Sequence, residues 1–135
     1  MKSIFTALAP NVERDDAYLA LKLQFLPWLW KRGPAVAGLA SALRQRLRKK
    51  HVFLFETGRT GIEMILRAAS IGEGDEDEVL LQAFTCVAVP NSVIWAGAKP
   101  VYVDCNEQYT MSIEDLKQKI TSKCKAVIVQ HAFGN

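Results

Sequence analysis

The sequence has few cysteines and no long apolar run, and these two absences narrow its class. Its three cysteines, Cys86, Cys105 and Cys124, lack the spacing of metal ligands. An odd number of such cysteines predicts free thiols in a reducing cytoplasm rather than a disulfide framework or a metal site. No uninterrupted apolar run approaches a membrane span, and the N-terminal stretch MKSIFTALAP lacks an apolar core of signal-peptide length. We therefore expect a cytoplasmic protein that contains no metal.

Acidic residues are scarce in the first part of the chain. Residues 1–50 contain ten Lys/Arg against three Asp/Glu, a balance of +7, whereas residues 51–135 contain seven against eleven, a balance of −4. Such asymmetry can indicate a basic arm for an anionic partner, but a solvated helix face is the commoner cause. We expect no nucleic-acid partner and no membrane partner.

Residues 1–50 have the pattern of a helical segment. Asp15 and Asp16 favour a helix N-terminus, and Pro27 is expected to end or kink the helix that follows them. Pro34 suits the first turn of a second helix, whose end carries a cluster of cations.

Half of all residues in the chain are apolar and 23% are charged, as in soluble globular proteins.

From residue 51 onward the pattern changes to short, continuous apolar runs. VFLFE, EVLLQ, KPVYVD and KAVIVQ suit strands that are buried on both faces of a parallel sheet. The segments between them predict helices over Thr60–Ser70, Val87–Ala96 and Ser112–Ile120. Strands alternating with helices predict an α/β fold, namely an open, mainly parallel sheet with βαβ crossovers. Ligands of such sheets bind beyond the carboxyl ends of the strands.

A glycine turn follows the first apolar run. Gly58 would allow a sharp bend and a close approach to an anion, and the helix after it would direct free N–H groups to the same place. Arg59 and the hydroxyls of Thr57 and Thr60 add further donors. The turn lacks the spacing of a P-loop or of a dinucleotide fingerprint. A phosphate site and a plain helix N-cap remain about equally compatible with these residues alone.

Several motifs later in the chain occur in the order found in one enzyme family. These are the Gly58-Arg59-Thr60 turn, a GDEV-like turn, Phe84-Thr85 with Asn91 in the next helix, GAKPVYVD at 97–104 and HAFGN at 131–135. In this respect the chain resembles the DegT/DnrJ/StrS aminotransferases, which are fold-type-I enzymes that use pyridoxal 5′-phosphate and act on nucleotide-linked keto sugars. The resemblance is close over residues 51–135. It implies a helical arm at 1–50 and part of the large coenzyme-binding domain at 51–135.

The resemblance also implies roles for individual residues. Gly58, Arg59 and Thr60 match the positions that bind the coenzyme phosphate in the family. Cys86 occupies the position after the Phe-Thr threonine, where the family often has an aromatic residue that covers the coenzyme ring. A thiol packs on the ring here, or Phe84 or another side chain takes over that contact. The roles of Asp104 and His131 stay open between the site and local structure.

The family's catalytic lysine has no counterpart in this sequence. In the family, the Schiff-base lysine and the carboxylate that pairs with the pyridinium nitrogen both follow the HxFGN segment, and a small domain comes after them. None of the ten lysines of this chain lies in a matching context. We therefore interpret the chain as the N-terminal part of an aminotransferase, inactive as it stands, with no catalytic residue of its own. The resemblance implies a homodimer that uses a nucleotide-sugar substrate and an amino donor.

Two other interpretations are compatible with the sequence. The chain could be a non-catalytic α/β module that binds a phosphorylated small molecule. It could also associate with membrane surfaces through YLALKLQFLPWLWKR, which combines tryptophans with flanking cations. Lys22 and Gln24 interrupt that stretch, and a packed arm explains it better.

Overall fold

The computed structural model of the chain describes residues 12–131 and residue 134, except for the side chains of Lys31 and Arg32. The chain divides into two compact units, residues 1–53 and residues 54–135. The HxFGN segment is described only at His131 and Gly134.

The first unit consists of helices. They are α1 (Arg14–Gln24), α2 (Leu29–Arg32) and α3 (Pro34–Leu47). As predicted, Asp15 and Asp16 lie in the first turn of α1, where the Glu13 backbone N–H donates to the Asp16 carboxylate at 2.9 Å. Pro34 occupies the first turn of α3, because its fixed φ suits that position. Within the described part of the chain, no helix is long and apolar enough to cross a membrane.

The second unit is a three-stranded parallel sheet with helices on both faces. Its elements, in chain order, are α4 (Gly58–Ala68), β1 (Glu78–Gln82), α5 (Ala88–Ala96), β2 (Lys99–Val103), α6 (Ile113–Lys119) and β3 (Cys124–Ile128). The strand order is β2-β1-β3, and β1 pairs in parallel with both neighbours. The predicted α/β fold with helical crossovers is therefore confirmed, and the predicted helices lie within about two residues of their expected bounds.

The predicted strand VFLFE is wrong. Residues 52–56 form no strand, and α4 begins at Gly58. Phe53 is 76% exposed and Phe55 is 47% exposed, although both were expected to be buried. Among the described residues these positions have no partner strand, and an extended segment without a partner cannot form a ladder.

The side chains of β1 alternate between the two faces of the sheet. Val79 and Leu81 are fully buried in a cluster with Leu66 of α4 and Val93 of α5. Leu80 is fully buried on the other face, in a cluster that includes residues of β2 and α6. This period of two follows from strand geometry, and it places Gln82 on the same face as Leu80.

Two glycines bring the loop after α4 into contact with the end of α5. Gly72 and Gly97 both have a φ of 97°, in the left-handed region that favours glycine. A Cβ on Gly72 would lie 2.2 Å from the carbonyl oxygen of Ala96, and one on Gly97 would lie 2.6 Å from the carbonyl oxygen of Gly72. The same loop is closed by Asp77, whose carboxylate accepts from the N–H groups of Gly72 and Gly74 at 2.9 and 3.3 Å.

Candidate functional site

The candidate site lies at the carboxyl edge of the sheet, where β1 is the central strand. The segment that connects β1 to α5, residues 83–87, is called the β1–α5 loop below. In an open α/β sheet, ligands bind at this edge.

The N-terminus of α4 has the geometry of an anion site. Thr57 is the N-cap residue, and its hydroxyl accepts from the backbone N–H of Thr60 at 3.2 Å. Among the described residues, the backbone N–H groups of Gly58 and Arg59 have no acceptor, as expected in the first turn of a helix. Because the helix dipole adds a partial positive charge at the same point, the turn can bind a phosphate.

Gly58 contributes space at this turn rather than an unusual backbone conformation. The glycines with positive φ in the described chain are Gly72, Gly97 and Gly134, so the predicted sharp bend at Gly58 is not required. A Cβ built on Gly58 meets nothing within 4 Å. The hydroxyl oxygens of Thr57 and Thr60, the residues on either side of Gly58 and Arg59, are 3.1 Å apart.

Helix α5 fixes the position of the turn. The Ser92 hydroxyl is completely buried and lies 3.0 Å from the carbonyl oxygen of Arg59 and 2.8 Å from that of Ala88. The Arg59 guanidinium carbon lies 5.2 Å from the ring centre of Trp95, a cation–π contact. The charge of Arg59 is therefore directed to α5, and its backbone N–H remains available at the helix terminus.

The β1–α5 loop is attached to the strands on either side of it. The Thr85 hydroxyl donates to the side-chain oxygen of Gln130, which follows β3. The Phe84 backbone N–H donates to Cys105 Sγ at 3.4 Å, just after β2. Cys86 is exposed at the end of this loop, immediately before the N-cap residue of α5.

Sequence reasoning gave no role to Gln82, the last residue of β1. It is 1% exposed, and its Nε2 donates to the carbonyl oxygens of Tyr109 at 2.7 Å and Phe84 at 3.5 Å. Its Oε1 is buried and has no hydrogen-bond partner among the described residues. A polar residue that ends an otherwise apolar run is the only signal in the sequence that could have indicated it.

The structure supports the local interpretation of Asp104. Its Oδ1 accepts from the backbone N–H of Cys105 at 2.7 Å, and its backbone N–H donates to the Asp115 carboxylate at 2.7 Å. That hydrogen bond and the Lys119 ammonium lower the pKa of Asp115. His131 is exposed beyond the end of β3.

The structure thus brings three of the four predicted site residues together. Gly58, Arg59 and Thr60 share the first turn of α4, and Ser92 connects this turn to the helix that follows Cys86. No group of three or more His, Cys, Asp or Glu residues in the described part of the chain could bind a metal ion.

Two known proteins illustrate what the chain is similar to. The chain is 30% identical over 109 residues to GDP-perosamine synthase of Escherichia coli O157:H7, a match that covers 80% of the chain and 29% of that protein. It is 38% identical over 79 residues to UDP-N-acetyl-3-dehydro-α-D-glucosamine 3-aminotransferase of Acidithiobacillus ferrooxidans, covering 58% of the chain and 21% of that protein. The chain therefore spans less than a third of the length of these relatives.

A solved structure shows the same fold. The sugar aminotransferase Spr1654 of Streptococcus pneumoniae, in its PMP form, superposes with a TM-score of 0.75 at 27% identity over 90% of this chain and 30% of the other. Spr1654 was also solved in a PLP form. The sequence profile of the DegT/DnrJ/EryC1/StrS aminotransferases matches residues 16–135. The resemblance seen in the motifs is thereby confirmed, and the chain belongs to the DegT/DnrJ/EryC1/StrS aminotransferase family.

Proposed function

We propose that the chain is the N-terminal part of a pyridoxal-phosphate-dependent aminotransferase that acts on a nucleotide-linked keto sugar. Residues 1–50 would form its arm, and residues 51–135 would form part of its coenzyme-binding domain. Gly58, Arg59 and Thr60 would bind the coenzyme phosphate, with Cys86 beside the coenzyme ring. The observation that carries this proposal is the N-terminus of α4: among the described residues the N–H groups of Gly58 and Arg59 lack an acceptor, and a Cβ on Gly58 would meet nothing within 4 Å.

The residues present fit a phosphate group. An anion at the turn would accept from the Gly58 and Arg59 N–H groups, and hydrogen bonds to a charged group are stronger than neutral ones. The Thr57 hydroxyl oxygen accepts from the Thr60 N–H, and its own hydrogen can be donated to the Thr60 hydroxyl oxygen. The hydrogen of the Thr60 hydroxyl can then be donated to an anion. Any side chain larger than glycine at position 58 would enter the same space.

The coenzyme would supply the electron sink of the reaction, and the residues of this chain would position it. The β1–α5 loop is attached on both sides, so Cys86 has a defined location at the start of α5. Three lysines of the second unit form ion pairs away from the proposed site. Lys99, Lys123 and Lys125 pair with Glu78, Glu76 and Asp77 at the opposite, amino-terminal end of the sheet.

The same proposal extends to the catalytic lysine, the compartment and the oligomeric state of the whole enzyme. The lysine that bonds covalently to the coenzyme would come from outside residues 1–135, and the chain alone would then be inactive. We propose a cytoplasmic homodimer that uses an amino donor. Support comes from the names of the relatives, which act on GDP- and UDP-linked sugars.

The test compares two glycines of α4. Gly58→Ala places a methyl group in the proposed phosphate space, whereas Gly61→Ala places one 3.8 Å from a ring carbon of Phe55, an ordinary contact. Both variants should fold. Calorimetric titration with pyridoxine 5′-phosphate, which has no aldehyde to react with lysines, should show about tenfold to hundredfold weaker binding for Gly58→Ala, since one hydrogen bond to a charged group is worth about 1.5–3 kcal/mol.

Gly61→Ala should bind like the wild type. Thr60→Ala should weaken binding less than Gly58→Ala, because it removes one hydroxyl and leaves the backbone N–H groups. Equal affinity of Gly58→Ala and the wild type would contradict the proposed phosphate site.

A further inference from the structure

The helices of the first unit have no buried core. Neither α1 nor α3 contains a buried residue, and none of the side chains described in residues 12–53 is buried. Large apolar side chains are exposed instead: Phe25 is 74% exposed, Tyr18 is 73% exposed and Trp28 is 67% exposed. A helix of a globular protein normally buries its apolar stripe against a neighbour. These helices therefore present apolar surface that the described chain does not cover.

Three of the exposed side chains share one side of α1. Tyr18, Leu21 and Phe25 have the spacing i, i+3, i+7, which places them on the same side of a helix. Phe25 is the C-cap residue, and its right-handed helical backbone continues the last turn. Leu21, between the two aromatic residues, is 57% exposed. These three residues are called the apolar face below.

Another side of α1 borders an open groove. The groove has a volume of about 520 Å³ and lies between α1, α2 and the start of α3, where Leu19, Leu23, Leu29, Trp30 and Val36 line it with apolar atoms. The Trp30 indole N–H donates to the Leu23 carbonyl oxygen at 2.8 Å, and its side chain remains exposed. A tryptophan whose N–H is paired and whose ring is exposed suits a boundary between water and an apolar phase.

The first unit is strongly cationic after α1. Residues 26–50 contain seven Lys/Arg and no Asp/Glu. Five exposed cations lie in the last turn of α3 and just after it, and they are called the cationic end below: Arg44, Arg46, Arg48, Lys49 and Lys50. In the part of the chain that the structure describes, none of them pairs with an acid. Their charge is therefore available to attract an anionic surface.

The apolar face and the cationic end together limit the kind of partner. A second copy of the chain, bound symmetrically through the same patch, would place surfaces of like charge against each other. A nucleic acid supplies negative phosphates, but these offer no apolar contact to Tyr18, Leu21 and Phe25. A bilayer that contains anionic lipids supplies both the negative headgroups and the apolar interior.

We propose that the first unit binds the surface of an anionic lipid bilayer, with the apolar face inserted at the interface and the cationic end on the headgroups. Amphipathic helices of this kind lie in the plane of the membrane, and no helix of the described residues could cross it. The cytoplasmic leaflet carries anionic lipids, which agrees with the proposed compartment. The inference goes beyond the proposed function and does not depend on it.

This inference replaces the expectation of no membrane partner. The sequence alone favours a packed arm, but the described residues give this arm nothing to pack against.

The test is co-sedimentation of the 135-residue chain with phosphatidylcholine vesicles that contain or lack phosphatidylserine. The chain should bind the vesicles with phosphatidylserine at least about tenfold more tightly. Added salt should remove this difference, because it screens exposed charges. The fluorescence of the exposed Trp28 and Trp30 should shift to shorter wavelengths when the same vesicles are added.

Matched variants separate the two parts of the surface. Leu21→Gln removes an apolar side chain and keeps the helix propensity, so it should weaken binding to phosphatidylserine vesicles about threefold or more. Ile113→Gln changes a residue of α6 that is 52% exposed, and it should leave vesicle binding unchanged. Arg46→Gln should weaken binding about fivefold, whereas Lys117→Gln, which changes an exposed lysine of α6, should not weaken it.

Two results with these vesicles would overturn the inference. Equal binding with and without phosphatidylserine would show that the cationic end has no part in it. Equal effects of Leu21→Gln and Ile113→Gln would show the same for the apolar face. The helical circular dichroism signal of all variants should equal that of the wild type, because every changed side chain is exposed.

Other occupants of the surface would also be recognised, and each would overturn the inference. If Leu21→Gln reduces self-association in light scattering and leaves vesicle binding unchanged, the apolar face contacts a second copy of the chain. If duplex DNA binds more tightly than the vesicles and Leu21→Gln does not affect it, the partner is a nucleic acid. If the complete aminotransferase does not bind the vesicles, the rest of its polypeptide covers the face. Leu21→Gln should leave pyridoxine 5′-phosphate binding unchanged, so this test and that of the phosphate site can fail separately.

Discussion

The contact between Gly72 and the end of α5 leaves no room for a side chain. A Cβ at position 72 would lie 2.2 Å from the carbonyl oxygen of Ala96, whereas even close carbon–oxygen contacts are about 3.3 Å or longer. Gly72→Ala must therefore separate the two backbones by about 1 Å. It must also place alanine at a φ of 97°.

Both effects destabilise the fold. A left-handed backbone costs an alanine about 1–2 kcal/mol, and forced overpacking costs about 1–3 kcal/mol. We expect Gly72→Ala to lower the free energy of unfolding of the second unit by about 2–5 kcal/mol. This is a large fraction of the roughly 5–15 kcal/mol that stabilises a typical domain.

Urea unfolding followed by circular dichroism measures this change. The Gly72→Ala midpoint should fall while the slope stays constant, because the surface exposed on unfolding is the same. Gly61→Ala is the matched control, since its new methyl group makes an ordinary contact in the same unit. If the two variants have the same midpoint, the close approach of the backbones has no energetic importance and the reasoning fails.

Two further changes affect the supports of the site. Asp77→Asn should destabilise the loop, chiefly because the Gly72 N–H, which lowers the pKa of Asp77, then faces a neutral side chain. The stability due to this lowered pKa is fully present above about pH 4 and is lost as the pH falls through the lowered value. The melting temperatures of the variant and the wild type should therefore converge in acid. A constant difference from about pH 7 to about pH 2 would contradict this. Ser92→Ala removes the hydroxyl that lies beside the Arg59 carbonyl oxygen, and it should lower the free energy of unfolding by about 1 kcal/mol. It should also weaken the binding of pyridoxine 5′-phosphate. Unchanged binding would show that the turn needs no support from α5.

The sheet could be predicted from the sequence because its strands are defined by continuous apolar runs. Val79, Leu80 and Leu81 are fully buried, as a strand covered on both faces requires. The run at 52–56 has a similar composition but lacks a partner strand in the described chain. Composition measures the tendency to be buried, whereas a strand also needs a neighbour, and the sequence does not specify that neighbour.

The candidate site could be predicted only where it is local. The sequence predicted a helix from Thr60 after a glycine turn, and the helix begins at Gly58 with Thr57 as its cap. Gln82, by contrast, depends on a carbonyl oxygen 27 residues away, at Tyr109. Ser92 depends on Arg59, 33 residues before it. Contacts of this kind follow from the packing of α5 and of the loop after β2, so no short motif contains them.

The packing of α5 has a consequence for how the phosphate turn would work. Arg59 directs its guanidinium to Trp95, so the donors at the turn are backbone N–H groups and hydroxyls rather than a flexible cation. Backbone donors cannot reorient toward a ligand. The affinity of the turn for phosphate would therefore depend on how well the N-terminus of α4 is fixed. Ser92 of α5 fixes the N-terminus of α4 directly, and the contact between Gly72 and Ala96 fixes the end of α5. The strength of phosphate binding should consequently depend on residues that never touch the phosphate.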